Sequence, residues 1–254
     1  MRVRAEEQRN AFRTLGFDLK GTFDSFEIAE DDPRWEQVSA LIKQFKVFDT
    51  ATTKYSDREL RTADVVGVLC SSPRGYPEPS GDFGYLLRTF DLTEYCDLCG
   101  IGGRQVAPFR LKKVPKLRNS VLQLNWVFDE LFVDRSVWRR IFEPFGIGSR
   151  PTVHHGTGVE LDDLVQLDIH RTVDVNVDQL KKFKDCRRCG RRKYWPKYLL
   201  CSYPPPRPTD AAIFRSKQYF GDGLLAFNLV FVSQPLFLAI KQTGLRSVSF
   251  HLIG

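Results

Sequence analysis

A repeated five-residue motif, CDLCG at 96–100 and CRRCG at 186–190, constrains this chain more than any other feature. Two residues between paired cysteines let one tight turn aim both sulfurs at a single point. A glycine after the second cysteine suits the left-handed backbone that closes such a turn. One pair alone is ambiguous, because it also serves dithiol redox chemistry. Two pairs with the same trailing glycine point instead to four thiolates around one tetrahedral ion, the arrangement Zn²⁺ favours. Cys96, Cys99, Cys186 and Cys189 are therefore the expected ligands of one structural zinc. Neither pair opens a helix in a thioredoxin-like pattern, which leaves redox use as the lesser alternative. The pairs stand 90 residues apart, against roughly 15–20 in a compact zinc ribbon. A zinc-ribbon-like knuckle pair must then carry a large insertion, or the metal must clamp two distant parts of the fold. Four protein ligands leave no position open for water, so the expected role of the ion is structural.

Two further cysteines, Cys70 and Cys201, sit in the apolar contexts VVGVLC and YLLCSY and are expected in the core. The N-terminal sequence MRVRAEEQRNAFR is charged throughout and has no apolar stretch of the secretory type, so a cytoplasmic protein with reduced thiols is expected. The longest apolar run, LLAFNLVFV at 224–232, is shorter than the ~20 residues that cross a bilayer. It predicts a buried strand and no membrane partner.

The formal charge of +7 is concentrated. Residues 181–197 hold nine Lys/Arg against one acid, Asp185, for a net +8; residues 104–118 hold six basic residues and no acid. Cations beside thiolates favour the deprotonated form, so part of this charge can serve the metal. The remainder reads as a solvated basic face, or as a surface for phosphate backbones or an acidic protein. With Tyr194, Trp195 and Tyr198 available for stacking, a nucleic-acid-binding zinc-ribbon protein that uses blocks 104–118 and 181–197 is the alternative function.

Hydrophobic content of 42%, with 20 Phe, 8 Tyr and 4 Trp, exceeds what disordered chains carry and predicts a folded α+β protein of mixed sheets and short helices. Residues 17–28 alternate as a strand or hairpin with Gly21 near its turn. Asp32 and Pro33 should open a helix bearing Trp35, Val38, Leu41, Ile42 and Phe45 on one face. Ser56 and Glu59 form a capping box ahead of the strand-like DVVGVLC. The Pro- and Gly-rich segment 71–84 reads as an irregular loop that Tyr76 and Phe83 can pin to the body. SVLQLNWVFDELFV at 120–133 reads mainly as strand, Asp134 caps a helix ending near Pro144 and Gly146, and 164–169 and 173–177 are further strands. After a stiff YPPPRP connector at 203–208, the chain closes with a strand at 224–232, a helix at about 234–242 and extended structure at 248–252. This is a C-terminal β-α-β unit that predicts a parallel strand pair. Three segments follow: an N-terminal α+β part (1–95), the knuckles with their inserted α/β module (96–190) and the C-terminal unit (191–254), packed as one body.

No GxSxG, HExxH, P-loop or GxGxxG sequence is present. His154 and His155, near Asp162 and Asp163, invite an acid-base or metal hypothesis, but loop histidines beside glycine are more often plain surface residues. No catalytic residue is assigned and a non-enzymatic protein is expected.

The second CxxCG, the Pro-rich connector, the IFR element and LVFVSQPLFLAIKQTGLRSVSF together resemble the double-CXXCG family of bacterial immunity proteins, over roughly residues 184–254. The resemblance implies a protein that neutralises a cognate protein toxin by binding it. The basic charge argues against a basic nuclease as that toxin.

Overall fold

The structure, a computed structural model, describes all residues except 1, 4, 5, 22, 23, 50–52, 72, 114, 116, 118 and 196–201. Cys201, Lys197 and Tyr198 thus lie outside the described residues. The fold is mixed α+β, with 23% helix and 29% strand, and divides into two units, Met1–Thr52 and Thr53–Gly254.

The first unit holds β1 (Arg2–Val3), α1 (Glu6–Arg13), β2 (Asp24–Ser25) and α2 (Trp35–Phe45). Its core gathers Phe12, Phe17, Leu19 and Val38, with Trp35, Leu41, Ile42 and Phe45 of α2 packed against them, so the apolar face expected of this helix is the one used. The helix begins two residues late because the Asp32 carboxylate accepts from the backbone N–H of Arg34 and binds its guanidinium. The expected 17–28 hairpin reduces to β2, paired with β1 and not with its own neighbours.

The second unit begins with α3 (Asp57–Thr62), whose capping box forms as expected. The Ser56 hydroxyl accepts from the Glu59 N–H, and the Glu59 carboxylate accepts from the Ser56 N–H. There follow β3 (Val65–Cys70), α4 (Tyr85–Thr89), β4 (Phe90–Asp91), β5 (Arg104–Gln105), β6 (Arg110–Leu111), β7 (Phe132–Asp134) and α5 (Arg135–Val137). The helix capped by Asp134 continues beyond α5 as a wider turn over Trp138–Phe142 and a tighter one over Glu143–Phe145, and ends at left-handed Gly146. The chain continues with β8 (Gly148–His154), β9 (Glu160–Asp168), β10 (Thr172–Val173), β11 (Phe183–Asp185), β12 (Arg192–Tyr194), β13 (Ile213–Phe220), β14 (Phe227–Ser233), α6 (Gln234–Gln242) and β15 (Val248–His251).

Seven strands make the main sheet, in the order β11-β12-β13-β14-β3-β15 with β10 beside β13; β6-β8-β9-β7 form a second sheet and β4-β5 a hairpin. Residues 53–95, grouped by sequence with the N-terminal part, belong to this unit, where β3 lies between β14 and β15 and runs antiparallel to both. The closing β-α-β unit is therefore split. Its two strands run parallel but do not touch, and the parallel pairs of the sheet are β10–β13 and β12–β13. Valines of β3, β7, β9 and β14, with Leu167 of β9, meet α6 in one apolar core that includes Val66, Val133, Val230 and Phe237.

The run 120–133 is a strand only at β7. Trp126 takes a positive φ of 68°, and the chain folds back so that Leu122 pairs with Phe132. A turn there, in place of a continuous strand, delivers Trp126, Phe128 and Asp129 to one side. The irregular loop 71–84 is pinned as expected, with the Tyr76 and Phe83 rings 4.6 and 4.7 Å from that of Trp126. Gly67 of β3 is the cross-strand partner of both Phe231 and His251, and the Tyr203 ring fills the space above it. Tyr203 belongs to the segment read as a polyproline connector. It is among the largest fully buried side chains, because its ring stacks on His251 and meets Phe231 edge-on.

Candidate metal centre

The two CxxCG segments fold alike. In the first, Gly100 donates its N–H to the Cys96 carbonyl at 2.7 Å and Cys96 donates to Ile101 O at 2.9 Å. In the second, Gly190 donates to Cys186 O at 2.8 Å and Cys186 to Arg191 O at 2.9 Å. Both glycines sit at φ near +70°, 77° for Gly100 and 72° for Gly190, as a turn of this kind requires. At Gly100 a second constraint applies, because any Cβ would collide with the backbone of Leu224.

The first knuckle hangs in the β4–β5 hairpin and the second between β11 and β12, at the edge of the main sheet. The fold brings their four sulfurs within 4.8 Å of one another. Cys96 Sγ is 3.7 Å from Cys186 Sγ, and Cys99 Sγ is 3.6 Å from Cys189 Sγ. Four sulfurs in a tetrahedron about 2.3 Å from a metal ion lie about 3.8 Å apart, so the spacing fits an ion at the centre. Cys96, Cys99 and Cys186 are buried and Cys189 is partly so, among Leu98, Ile101, Tyr219 and Ala226. Backbone N–H groups of Cys189 and Arg188 aimed at the Cys186 sulfur bring its pKa down to about 6, and the Leu98 N–H lowers that of Cys96. Burial pushes Cys99 up to about 12, a shift that the Ile101 N–H aimed at its sulfur opposes. The four-cysteine group can hold a metal ion, and a four-coordinate ion bound by all four sulfurs would have no open position.

The basic block 181–197 accounts for much of what joins the knuckles, which charge counting alone did not reveal. Lys193 is 5% exposed, and its ammonium donates to three carbonyls: Cys99 O at 2.8 Å, Gly223 O at 2.6 Å and Leu225 O at 3.0 Å. Arg191 reaches across to Ile101 O (3.0 Å) and Glu94 O (2.8 Å), and Arg188 pairs with Asp97. Arg192 pairs with Asp185 at 2.6 Å and stacks over Phe183. Four of the nine basic residues are therefore committed within the protein. In the other block Arg104 pairs with Asp91 and Lys112 with Glu78. Lys193 carried no signal of its own in the sequence: its burial follows from its place at the centre of β12, between the exposed Arg192 and the half-buried Tyr194.

Trp195 is 42% exposed, while the Tyr194 ring packs on Phe220. His154 and His155 join no metal-type cluster among the described residues; the Nδ1 of His154 faces the Thr157 hydroxyl. Cys70 is buried, as expected. Among the described residues no helix is long and apolar enough to cross a membrane. Comparison with family models, with curated proteins and with solved structures finds no match to this chain.

Proposed function

We propose that this chain is an immunity-type binding protein that neutralises a cognate protein toxin, and that a structural Zn²⁺ held by Cys96, Cys99, Cys186 and Cys189 fastens its two knuckle-bearing hairpins. The observation that carries the metal assignment is the convergence of four thiols from segments 90 residues apart, at near-tetrahedral spacing. Zinc fits this donor set because soft thiolates in a closed tetrahedron are its usual structural site. Bound there, it would supply positive charge that favours the thiolate form and a fixed point joining the knuckles, while Arg188, Arg191 and Lys193 would offset the negative charge of four thiolates. The C-terminal resemblance supports the toxin-binding role, and a site closed on all four sides favours scaffolding over catalysis.

The nucleic-acid alternative draws less support, because four cations of the 181–197 block are tied to acids and carbonyls. Its test is salt-dependent retention on DNA or RNA.

Two experiments test the main reading. Purified protein is expected to contain about one zinc per chain, and cobalt substitution should give the absorption of tetrahedral thiolate coordination. A folded, metal-free wild-type protein refutes the zinc assignment. Co-expression with a toxin whose gene adjoins that of this chain should restore growth; undiminished killing in the presence of folded protein refutes the binding role.

A further inference from the structure

A cavity of about 700 Å³ lies beside the metal centre, between the first knuckle, the turn at 126–130 and the walls formed by β8, β9 and β13. Its size is that of a small-molecule or side-chain pocket. Seven aromatic residues line it, among them Tyr85, Tyr95, Trp126 and Tyr219. Five acids and three arginines also line it, a net charge of −2.

Most of that charge is already paired. Arg215 binds Glu130 at 2.6 Å, and Glu130 also accepts from Gln166 at 2.7 Å; Arg150 binds Asp168 at 2.7 Å. Asp129 differs. Among the described residues it makes no ion pair within 4.0 Å, and its carboxylate accepts from backbone N–H groups, that of Asn228 at 3.1 Å and its own. Burial raises its pKa against the opposing pull of Arg215. A lone carboxylate at the wall of a cavity rich in ring faces is what an organic cation requires, since rings and carboxylate both stabilise positive charge there. An anion is disfavoured by the net −2, and a neutral apolar ligand would leave Asp129 desolvated and unpaired. One donor is also unused: Arg215 lines the cavity, and among the described residues its Nε is buried with no partner. It calls for an acceptor on the same ligand.

We infer that this cavity binds a basic amino-acid unit, an ammonium or guanidinium that meets Asp129 and the aromatic wall while a nearby carbonyl or carboxyl oxygen meets Arg215. The metal centre shapes the site. Gly100 and Leu224–Ala226 form part of the wall, and Lys193 ties Cys99 to Gly223 and Leu225. The inference stands on the cavity alone and does not require the toxin reading, so each fails separately.

The test is calorimetric titration of the full zinc-loaded chain with Nα-acetyl-lysine amide, Nα-acetyl-arginine amide, free arginine and the neutral isostere Nα-acetyl-norleucine amide. The basic ligands should bind and the norleucine compound should not. Tighter binding of free arginine indicates a soluble ligand; equal or tighter binding of the capped forms indicates a basic residue presented by a protein. Asp129→Asn, which keeps the shape and the bond from Asn228, should weaken binding by about tenfold or more. Amide chemical-shift mapping on the wild-type protein should place the perturbations at Asp129, Trp126 and Tyr219, and this readout holds even if the variant fails to fold. Absence of cation-dependent binding, perturbations elsewhere, or an unchanged affinity in folded Asp129→Asn overturns the inference.

Discussion

Replacing Lys193 by methionine keeps most of the aliphatic stem and removes the ammonium that bridges the first knuckle to the 223–225 loop. Three carbonyls lose their donor at once: Cys99 O, Gly223 O and Leu225 O, at 2.6–3.0 Å. A hydrogen bond to a charged group contributes about 1.5–3 kcal/mol. The three do not simply add, because the substitution also relieves the cost of keeping a positive charge at 5% exposure. Removing one side of a buried charged network typically costs about 3–5 kcal/mol. Allowing for the relieved desolvation, the expected loss is about 2–4 kcal/mol. Urea unfolding of zinc-loaded wild type and Lys193→Met should therefore show a lower midpoint at similar slope. Lys184→Met, at an exposed position of the same basic block, is the control and should stay within about 0.5 kcal/mol of wild type. Zinc competition with a chelator should also show faster metal loss in Lys193→Met, since a cation beside the thiolates has gone. A loss below about 1 kcal/mol with unchanged zinc retention would refute the view that this lysine joins the two hairpins.

Other perturbations probe separate parts of the fold. Gly67→Ala would drive a methyl into the Tyr203 ring and should cost at least about 1–3 kcal/mol by overpacking, read by thermal or urea unfolding; a neutral result would show that Tyr203 moves freely. Ser56→Ala removes half of the capping box on α3 and should cost about 0.5–2 kcal/mol. His251 is buried against Tyr203, neither ring nitrogen has a partner among the described residues, and burial lowers its pKa from 6.5. The unfolded chain therefore takes up the proton first, so stability should fall as pH drops below about 6.5. His251→Leu should flatten that part of the stability–pH profile, and parallel profiles for the two proteins would count against it.

Local signals in the sequence carried through where they were short-range. The capping box at Ser56 and Glu59, the apolar face of α2, the Asp134 cap and the 234–242 helix depend on groups two to four residues apart, and the structure keeps all of them. The cysteine pairs are legible for the same reason: each knuckle is a self-contained turn whose glycine and N–H groups sit within six residues.

The two knuckles, most helices and the α+β character are thus legible from the chain alone, because they rest on local backbone preference and chain-neighbour chemistry. The tertiary structure alone decided that β3 enters between β14 and β15, splitting the expected parallel pair. It also decided that 120–133 turns back to place Asp129 in a cavity. A segment rich in β-branched and aromatic residues satisfies burial equally as strand or as buried turn, and only its partners choose between them. The same holds for Lys193: a charge count cannot distinguish a solvated lysine from one whose ammonium is enclosed by three carbonyls, because that difference is made by residues 30 and 94 positions away.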